Sequence, residues 1–440
     1  MKKLNDKLAY SFTDLSGNLL YVTMSTYIMY FYTDVFGLSV GVVGTLLLVT
    51  RLIDGFDAPM WGMIIDKTNS KYGKSRPYFL WLAFPFAISV ILVFTTPDIS
   101  TNFKIVYASI TYIVANIIYS GIQTSITSIL PNLSNNDRTR LTLNSFRMVG
   151  GNVGNFIAVT FLLPLVAILG QGNDKLGFVL TISLFGLVVI MLLIYAFFNL
   201  KEINIGNTKK MKFWEGFKAI KGNWPWVILI VANVFFWVAQ TSRNSMVVYY
   251  FKYNMGDEKL VPFINGISIL QVVGMIFIVF LSSKIKKTGT MILGLLLASI
   301  GQLGVYVASE ELIYIVIFWS IGCIGSGIAV SMPFAMLSDT VDYGEWKTKI
   351  RASGILTAIG SAFCIKFGSG IGGFLPSKIM EFTNYSPGEK QSELSLLGIQ
   401  WGFIWLPIIT FVLASIIMLF YFNYEKKEYQ IKQALKLREE

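Results

Sequence analysis

No histidine occurs anywhere in these 440 residues, and only two cysteines do, Cys323 and Cys364. Without histidine there is no side chain that ordinarily titrates near neutrality. His-based metal sites and Ser-His or Cys-His nucleophilic chemistry go with it. The two cysteines both lie in apolar stretches. They read as small hydrophobes and make neither a disulfide framework nor a metal cluster. An enzyme needs a nucleophile, a base or a metal set, and none assembles from what remains. Charge is scarce as well: 14% of the residues are charged, against ~25% in a soluble chain.

Apolar residues are abundant. Hydrophobic residues make up 54% of the chain, and 34 Phe and 21 Tyr lift the aromatic share to 15%. This is the composition of an all-α polytopic membrane protein. The apolar runs are continuous, each long enough to span as a helix, and do not alternate as in a β-barrel. Twelve spans are predicted, over 9–33, 39–65, 77–97, 103–130, 142–170, 176–199, 226–251, 260–283, 290–308, 311–337, 352–377 and 399–423. The first lacks a signal-peptide cleavage pattern and is expected to remain as a span.

Lys and Arg set the topology. With both ends cytoplasmic, the inside loops and tails hold 26 of them and the outside loops six. Both termini are therefore expected on the cytoplasmic side of the inner membrane. The net charge of +11 is mainly this topology signal, and its dispersal over short loops opposes nucleic-acid binding. The longest polar connection, 201–225, is basic and is expected to lie partly as an amphipathic segment on the inner surface. It divides the chain into six-helix bundles at 1–200 and 226–424, leaving a tail at 425–440 that reads as a solvated cytoplasmic helix. The halves repeat weakly. Aligning Gly154 with Gly372 and Phe156 with Phe374 brings Arg147 within one position of Lys366. Two related bundles with polar residues at matching depth fit a transporter whose substrate binds between them at the midplane.

Apart from Asp14, close to the inner end of the first span, six charged residues stand deep inside predicted spans: Arg51, Asp54, Asp57, Arg147, Arg243 and Lys366. A charge in hydrocarbon is costly and marks a functional site by default. Arg51, Asp54 and Asp57 are spaced i, i+3, i+6 and follow one face of a helix. Two such carboxylates can share a proton or offer oxygens to a small hard cation, with Arg51 keeping one ionised. The other reading is a buried ion cluster that only locks helices together. Asp14 and Asn18 in the first span, and Asn116, Tyr119, Ser120 and Gln123 in the fourth, add a polar face with an aromatic neighbour. That face suits a sugar, and interhelical hydrogen bonding is the plainer alternative. Arg147 and Lys366 are expected to bind substrate, and could pair with Asp54 or Asp57. Arg243 is expected at the substrate with Gln240 and Asn244 nearby. Asp66 and Arg76 in the loop 66–77, and Asp339, Asp342, Glu345 and Arg351 in 339–351, are candidate gating residues whose salt bridges would hold one face closed.

The chain resembles the glycoside–pentoside–hexuronide:cation symporters, the melibiose permease branch of the major facilitator superfamily. The resemblance is carried by YFYTDVFGLSVGVVGTLLLVTRLIDGFDAP, DKTNSKYGKSRPY, YYFKY and SDTVDYGEWKTKIRASG. It implies the major facilitator fold, twelve helices in two bundles, and import of a sugar with H+ or Na+. By position, Asp54 matches the family's first cation-site carboxylate and Ser120 a hydroxyl beside it. Tyr119 and Arg147 match sugar-site positions, and Lys366 falls at or beside a lysine of the eleventh helix. The family's second carboxylate falls where this chain has Ala58, one residue past Asp57. One residue turns a side chain ~100° around a helix. Melibiose permease has Asp where this chain has Asn18 and Gln123, and Trp where it has Thr127, which argues against melibiose as the substrate.

The expected function is therefore cation-coupled sugar symport by alternating access, with an uncoupled facilitator of the same fold as the alternative. Cation coupling is assigned to Asp54, Asp57, Asn18 and Ser120. Substrate binding is assigned to Asp14, Asn18, Tyr119, Gln123, Arg147, Arg243 and Lys366. No cofactor is expected, nor any metal beyond a possible Na+ at Asp54 and Asp57. The partners are a small-molecule sugar, a monovalent cation and the lipid bilayer, with the protein working as a monomer.

Overall fold

The computed structural model describes residues 2–134, 137–202, 220–308, 311–349, 356 and 359–439. Every regular element among them is helical. In chain order these are α1 (Lys2–Tyr30), α2 (Val40–Lys67), α3 (Pro77–Trp81), α4 (Ala83–Val93), α5 (Thr101–Leu133), α6 (Asp137–Gly170) and α7 (Asp174–Asn199). Then follow α8 (Trp224–Tyr249), α9 (Leu260–Ile267), α10 (Gln271–Val307), α11 (Leu312–Thr348), α12 (Cys364–Phe382), α13 (Glu393–Gln400), α14 (Leu406–Leu419), α15 (Phe422–Glu425) and α16 (Glu428–Glu439).

Each predicted span coincides with helix, although much of 350–358 lies outside the described residues. Eight helical stretches among them are long and apolar enough to cross a membrane. α1, α2 and α12 are not among the eight; they carry Asp14, then Arg51, Asp54 and Asp57, then Lys366. The break expected between the eighth and ninth spans is a kink inside α10, at Ile285 and Lys286, where Lys286 takes φ 60°. The amphipathic segment expected within 201–225 lies, over 203–219, outside the described residues.

The chain divides into two compact units. Unit 1 holds residues 1–208, 257–266 and 386–390, and unit 2 holds the remainder. In unit 1, Phe31, Phe94 and Phe178 pack as an aromatic triad, with ring centroids 4.9 to 5.7 Å apart. In unit 2 the core is built from helical repeats. Leu229, Ala232, Phe236 and Ala239 of α8 meet Met291, Leu295 and Ala298 of α10 and Phe411, Ala414 and Met418 of α14. The i, i+3, i+4 and i+7 spacings put each set on one stripe. Large apolar side chains such as Phe103, Ile276 and Ile313 remain exposed on the protein surface, as lipid-facing residues must.

The tail is a helix, as expected, but it is docked rather than solvated. Ile431 is buried in the unit 2 core beside Tyr421 and Tyr424. Lys432 bonds Glu428 at 2.5 Å and reaches Asp339 at 3.4 Å, while Lys287 of α10 pairs with Asp339 at 2.5 Å and with Glu428 at 3.6 Å. Burial pushes the Glu428 carboxyl up, but the hydrogen bond and charge of Lys432, with Lys287 behind it, bring it below its ordinary value. Burial pulls the Lys432 ammonium down, but Glu428 and Asp339 outweigh that and hold it above its ordinary value. A lowered carboxylate pKa stabilises docking above the unfolded value and loses that stabilisation as pH falls through the folded one. A raised ammonium pKa stabilises docking below its unfolded value and loses it as pH rises through the folded one. Docking should thus be flat through neutral pH and loosen at both extremes. Hydrogen exchange of residues 428–439 against pH checks this, and Glu428→Gln should remove the acid limb.

Candidate functional site

Within unit 1, α2 supplies the densest polar group. Arg51, Asp54 and Asp57 are all buried, at 7, 2 and 4% exposure. Arg51 Nη1 lies 3.3 Å from Asp54 Oδ2. The same nitrogen donates to Tyr21 Oη of α1 at 2.9 Å and to Asn116 Oδ1 of α5 at 3.4 Å, and Nη2 donates to Tyr112 Oη at 3.4 Å. Three residues beyond Asp54 on α2, Asp57 Oδ1 accepts from Ser120 Oγ at 2.8 Å. The rows match because Tyr112, Asn116 and Ser120 recur every four residues on α5 while Arg51, Asp54 and Asp57 recur every three on α2. Trp61 Nε1, donating to Ile117 O at 2.8 Å, fixes the two helices one turn below.

A second polar group joins α1 to α6. Arg147 Nη1 lies 3.3 Å from Asp14 Oδ1, and Arg147 Nε donates to Asn144 Oδ1 at 3.0 Å. Gly151 makes this possible: a Cβ there would come within 2.6 Å of Asp14 Oδ2. Asn18 donates to the Asp14 main-chain carbonyl at 2.9 Å, and Gln123 packs against α1 at Gly17, where a Cβ would stand 3.7 Å from its Oε1. Between the two groups, the rings of Tyr21 and Tyr119 stack 4.0 Å apart at 7°. Arg147 therefore pairs with Asp14, whereas the sequence suggested a span 2 carboxylate; Asp54 is taken by its own helix neighbour Arg51. Asn18, expected at both the cation and the substrate, lies with Asp14 of the substrate set.

In unit 2, Arg243 is 1% exposed, with Nη2 donating to Gln240 Oε1 at 3.1 Å. Lys366 is half-buried on α12. Asp342 and Glu345 are half-buried on the last turns of α11, and Asp339 belongs to the network that docks the tail. The side chain of Asp66 and all of Arg351 lie outside the described residues.

The loop 66–77 is held by an acid the sequence reading passed over. Glu202, just after α7, accepts the main-chain N–H groups of Ser75 and Arg76 at 2.8 Å each and of Lys74 at 3.2 Å, and Asn132 Nδ2 donates to it at 3.3 Å. Arg76 Nε donates to Phe197 O at 2.5 Å, its guanidinium over the Phe197 ring. Gly73, at φ 111°, lets the loop turn here, and a Cβ on it would lie 2.6 Å from Glu202 Cδ. Charge-assisted bonds of this kind contribute strongly. Glu202→Ala should lower stability by about 2 kcal/mol, with Glu202→Gln recovering little of it, because in place of Oε2 its NH2 would face the N–H donors of Lys74 and Asn132. Thermal unfolding in detergent checks the ranking.

Buried ion pairs, amides and hydroxyls thus join α1, α2, α5 and α6 within unit 1. The chain belongs to the MFS/sugar transport protein family, whose model matches residues 9–426. It is 40% identical over 423 residues to the isoprimeverose transporter of Lactiplantibacillus pentosus, an alignment covering 95% of this chain and 88% of that one. It is 28% identical to the putative glycoside/cation symporter YagG of Escherichia coli K12, covering 90% and 86%. A bacterial homologue of the human lysosomal transporter Spinster, solved facing inward and unoccupied, has the same fold, with a TM-score of 0.72, 13% identity and 98% of each chain covered. The major facilitator fold and the membrane location follow, and the family is one of transporters, not enzymes.

Proposed function

We propose that this chain imports a sugar together with a monovalent cation by alternating access, across the inner membrane, with both termini cytoplasmic and the monomer as the working unit. The observation that carries this reading is the buried row on α2, where Asp57 is bonded to Ser120 beside the Arg51–Asp54 pair. A cation entering there gains oxygen ligands or a carboxylate to protonate. Asp14, Asn18, Gln123 and Arg147, with Tyr119 on the adjoining ring stack, offer the donors, acceptors and apolar ring face that a sugar needs. Lys366 and Arg243 are the substrate candidates of unit 2. H+ is favoured over Na+, because Ala58 stands where the family's second carboxylate falls. Coupling requires that cation and sugar raise each other's affinity.

The name of the relative from Lactiplantibacillus pentosus makes isoprimeverose the first compound to test, followed by pentosides, other glycosides and hexuronides. Labelled sugar is offered to proteoliposomes under an imposed pH or Na+ gradient. Accumulation above the external concentration under one gradient is the expected result. Equilibration alone, whichever gradient is imposed, would sink the coupled mechanism.

A further inference from the structure

A cavity of about 450 Å³ lies at one end of unit 1 and shares no residue with either polar group described above. Tyr30 closes α1, Ala167 lies in the last turn of α6, Asp174 opens α7, and Glu258 and Lys259 lead into α9. These are the helix ends remote from the N-terminus, where the spans reach the headgroup layer of the bilayer. Leu163, Pro164 and Pro262 give the cavity apolar walls. Beside it α6 and α7 pack closely: a Cβ on Gly177 would collide with the Val166 carbonyl. Leu176, two residues past Asp174, begins an apolar stripe on α7. Leu176, Leu180 and Leu184, spaced i, i+4, i+8, are 48, 40 and 43% exposed. Ile168, one residue past Ala167 on α6, is 67% exposed.

The cavity is lined by charges of both signs. Asp174 and Lys259 are exposed, and neither makes an ion pair among the described residues. Glu258 is half-buried and accepts from Tyr30 Oη at 3.0 Å. Two carboxylates to one ammonium favour a cation, while Lys259 offers an anion a place beside it. A free cation would meet the carboxylates and leave the apolar walls and the α7 stripe uncovered. A zwitterionic phospholipid matches all three features at once: opposite charges within one headgroup, a glycerol backbone and apolar chains. We propose that this cavity binds the headgroup of one phospholipid ending in a primary ammonium, drawn from the outer leaflet in the topology proposed above. Its ammonium meets Asp174 and Glu258, its phosphate meets Lys259, and its chains follow α6 and α7. A primary ammonium brings three N–H donors to the carboxylate oxygens, and a trimethylammonium brings none. The headgroup is therefore selected and not merely held. The site is separate from the cation-coupling row of α2, and its occupancy is measurable without transport.

The test uses purified, delipidated full-length protein in detergent. Dioctanoyl phosphatidylethanolamine, phosphatidylcholine or phosphatidylglycerol is titrated in, and Tm is followed. In the wild type a saturable rise is expected, by mass action on the folded state. Half-saturation should come at about tenfold less phosphatidylethanolamine than either other lipid, as one charge-assisted bond gives. O-phosphoethanolamine, the headgroup without chains, should give no rise over the same range. The double variant Asp174→Asn, Lys259→Gln changes two exposed side chains and should respond to the three lipids alike. Equal responses in the wild type, an unchanged preference in the double variant, or a rise with O-phosphoethanolamine equal to that with the lipid overturns the site. Should the double variant fail to fold, wild-type protein labelled by phosphatidylethanolamine with a photoreactive headgroup decides. Label within 163–178 and 258–262 supports the proposal, and its absence there refutes it.

Discussion

Asp57→Asn should leave a folded protein that no longer accumulates sugar. The substitution keeps the shape of the side chain and a partner for Ser120, and it leaves the Arg51–Asp54 pair intact. It removes the carboxylate that a cation would bind or protonate. The ratio of internal to external sugar under the driving gradient should fall to about 1, because uncoupled binding equilibrates and does not concentrate. Asp54→Asn should behave differently. It leaves the Arg51 guanidinium, only 7% exposed, facing the hydroxyls of Tyr21 and Tyr112 and the amide of Asn116 with no counter-charge. Breaking a buried pair on one side costs about 3 kcal/mol or more. Lower Tm should accompany lost coupling there, and only there. The two variants are compared by gradient-driven uptake and thermal unfolding on one preparation. Full accumulation by Asp57→Asn would return that carboxylate to a structural role.

Much of this arrangement was legible in the sequence, because helical spacing survives into the fold. Arg51, Asp54 and Asp57 on one face, and Asn116 and Ser120 on another, are read from intervals of three and four. The structure joins these two faces through Arg51 and Asn116 and through Asp57 and Ser120. Tyr21 and Tyr112 were open to the same reasoning. Tyr21 follows Asn18 by three residues and Asp14 by seven, and Tyr112 precedes Asn116 by four. They went unremarked because a tyrosine in an apolar helix reads as packing or an interfacial anchor. Which charge pairs with which was not legible. Arg147 meets Asp14 because Gly151 lets α1 and α6 approach, and that approach depends on helix packing, not on spacing within either helix. Glu202 was hidden for another reason. Its partners are main-chain N–H groups more than a hundred residues earlier, and such donors leave no trace in side-chain patterns. The tail misled in a third way. A charged helix at a terminus looks solvated until Lys287, on a distant kink, supplies the cation its acid needs.

The pair Asp14–Arg147 should prove to be a functional contact and not merely a lock between α1 and α6. The two side chains are 8 and 19% exposed, so the pair is buried on one side and reachable on the other. Arg147→Gln strands the Asp14 carboxylate, and Asp14→Asn strands the guanidinium. Each should cost about 3 kcal/mol of stability. The double variant Asp14→Asn, Arg147→Gln replaces an ion pair by two neutral amides that can bond each other, and most of that loss should return. Transport should not return with it. A guanidinium presents its donors in a fixed fork that hydroxyl pairs can share, and a carboxylate accepts without donating; two amides do neither as well. Loss of one charge-assisted bond to the sugar weakens apparent affinity by about tenfold or more. The measurement is a set of three unfolding curves beside three uptake titrations. If stability and transport recover together in the double variant, the pair only holds two helices in place, and the sugar must be bound by other residues.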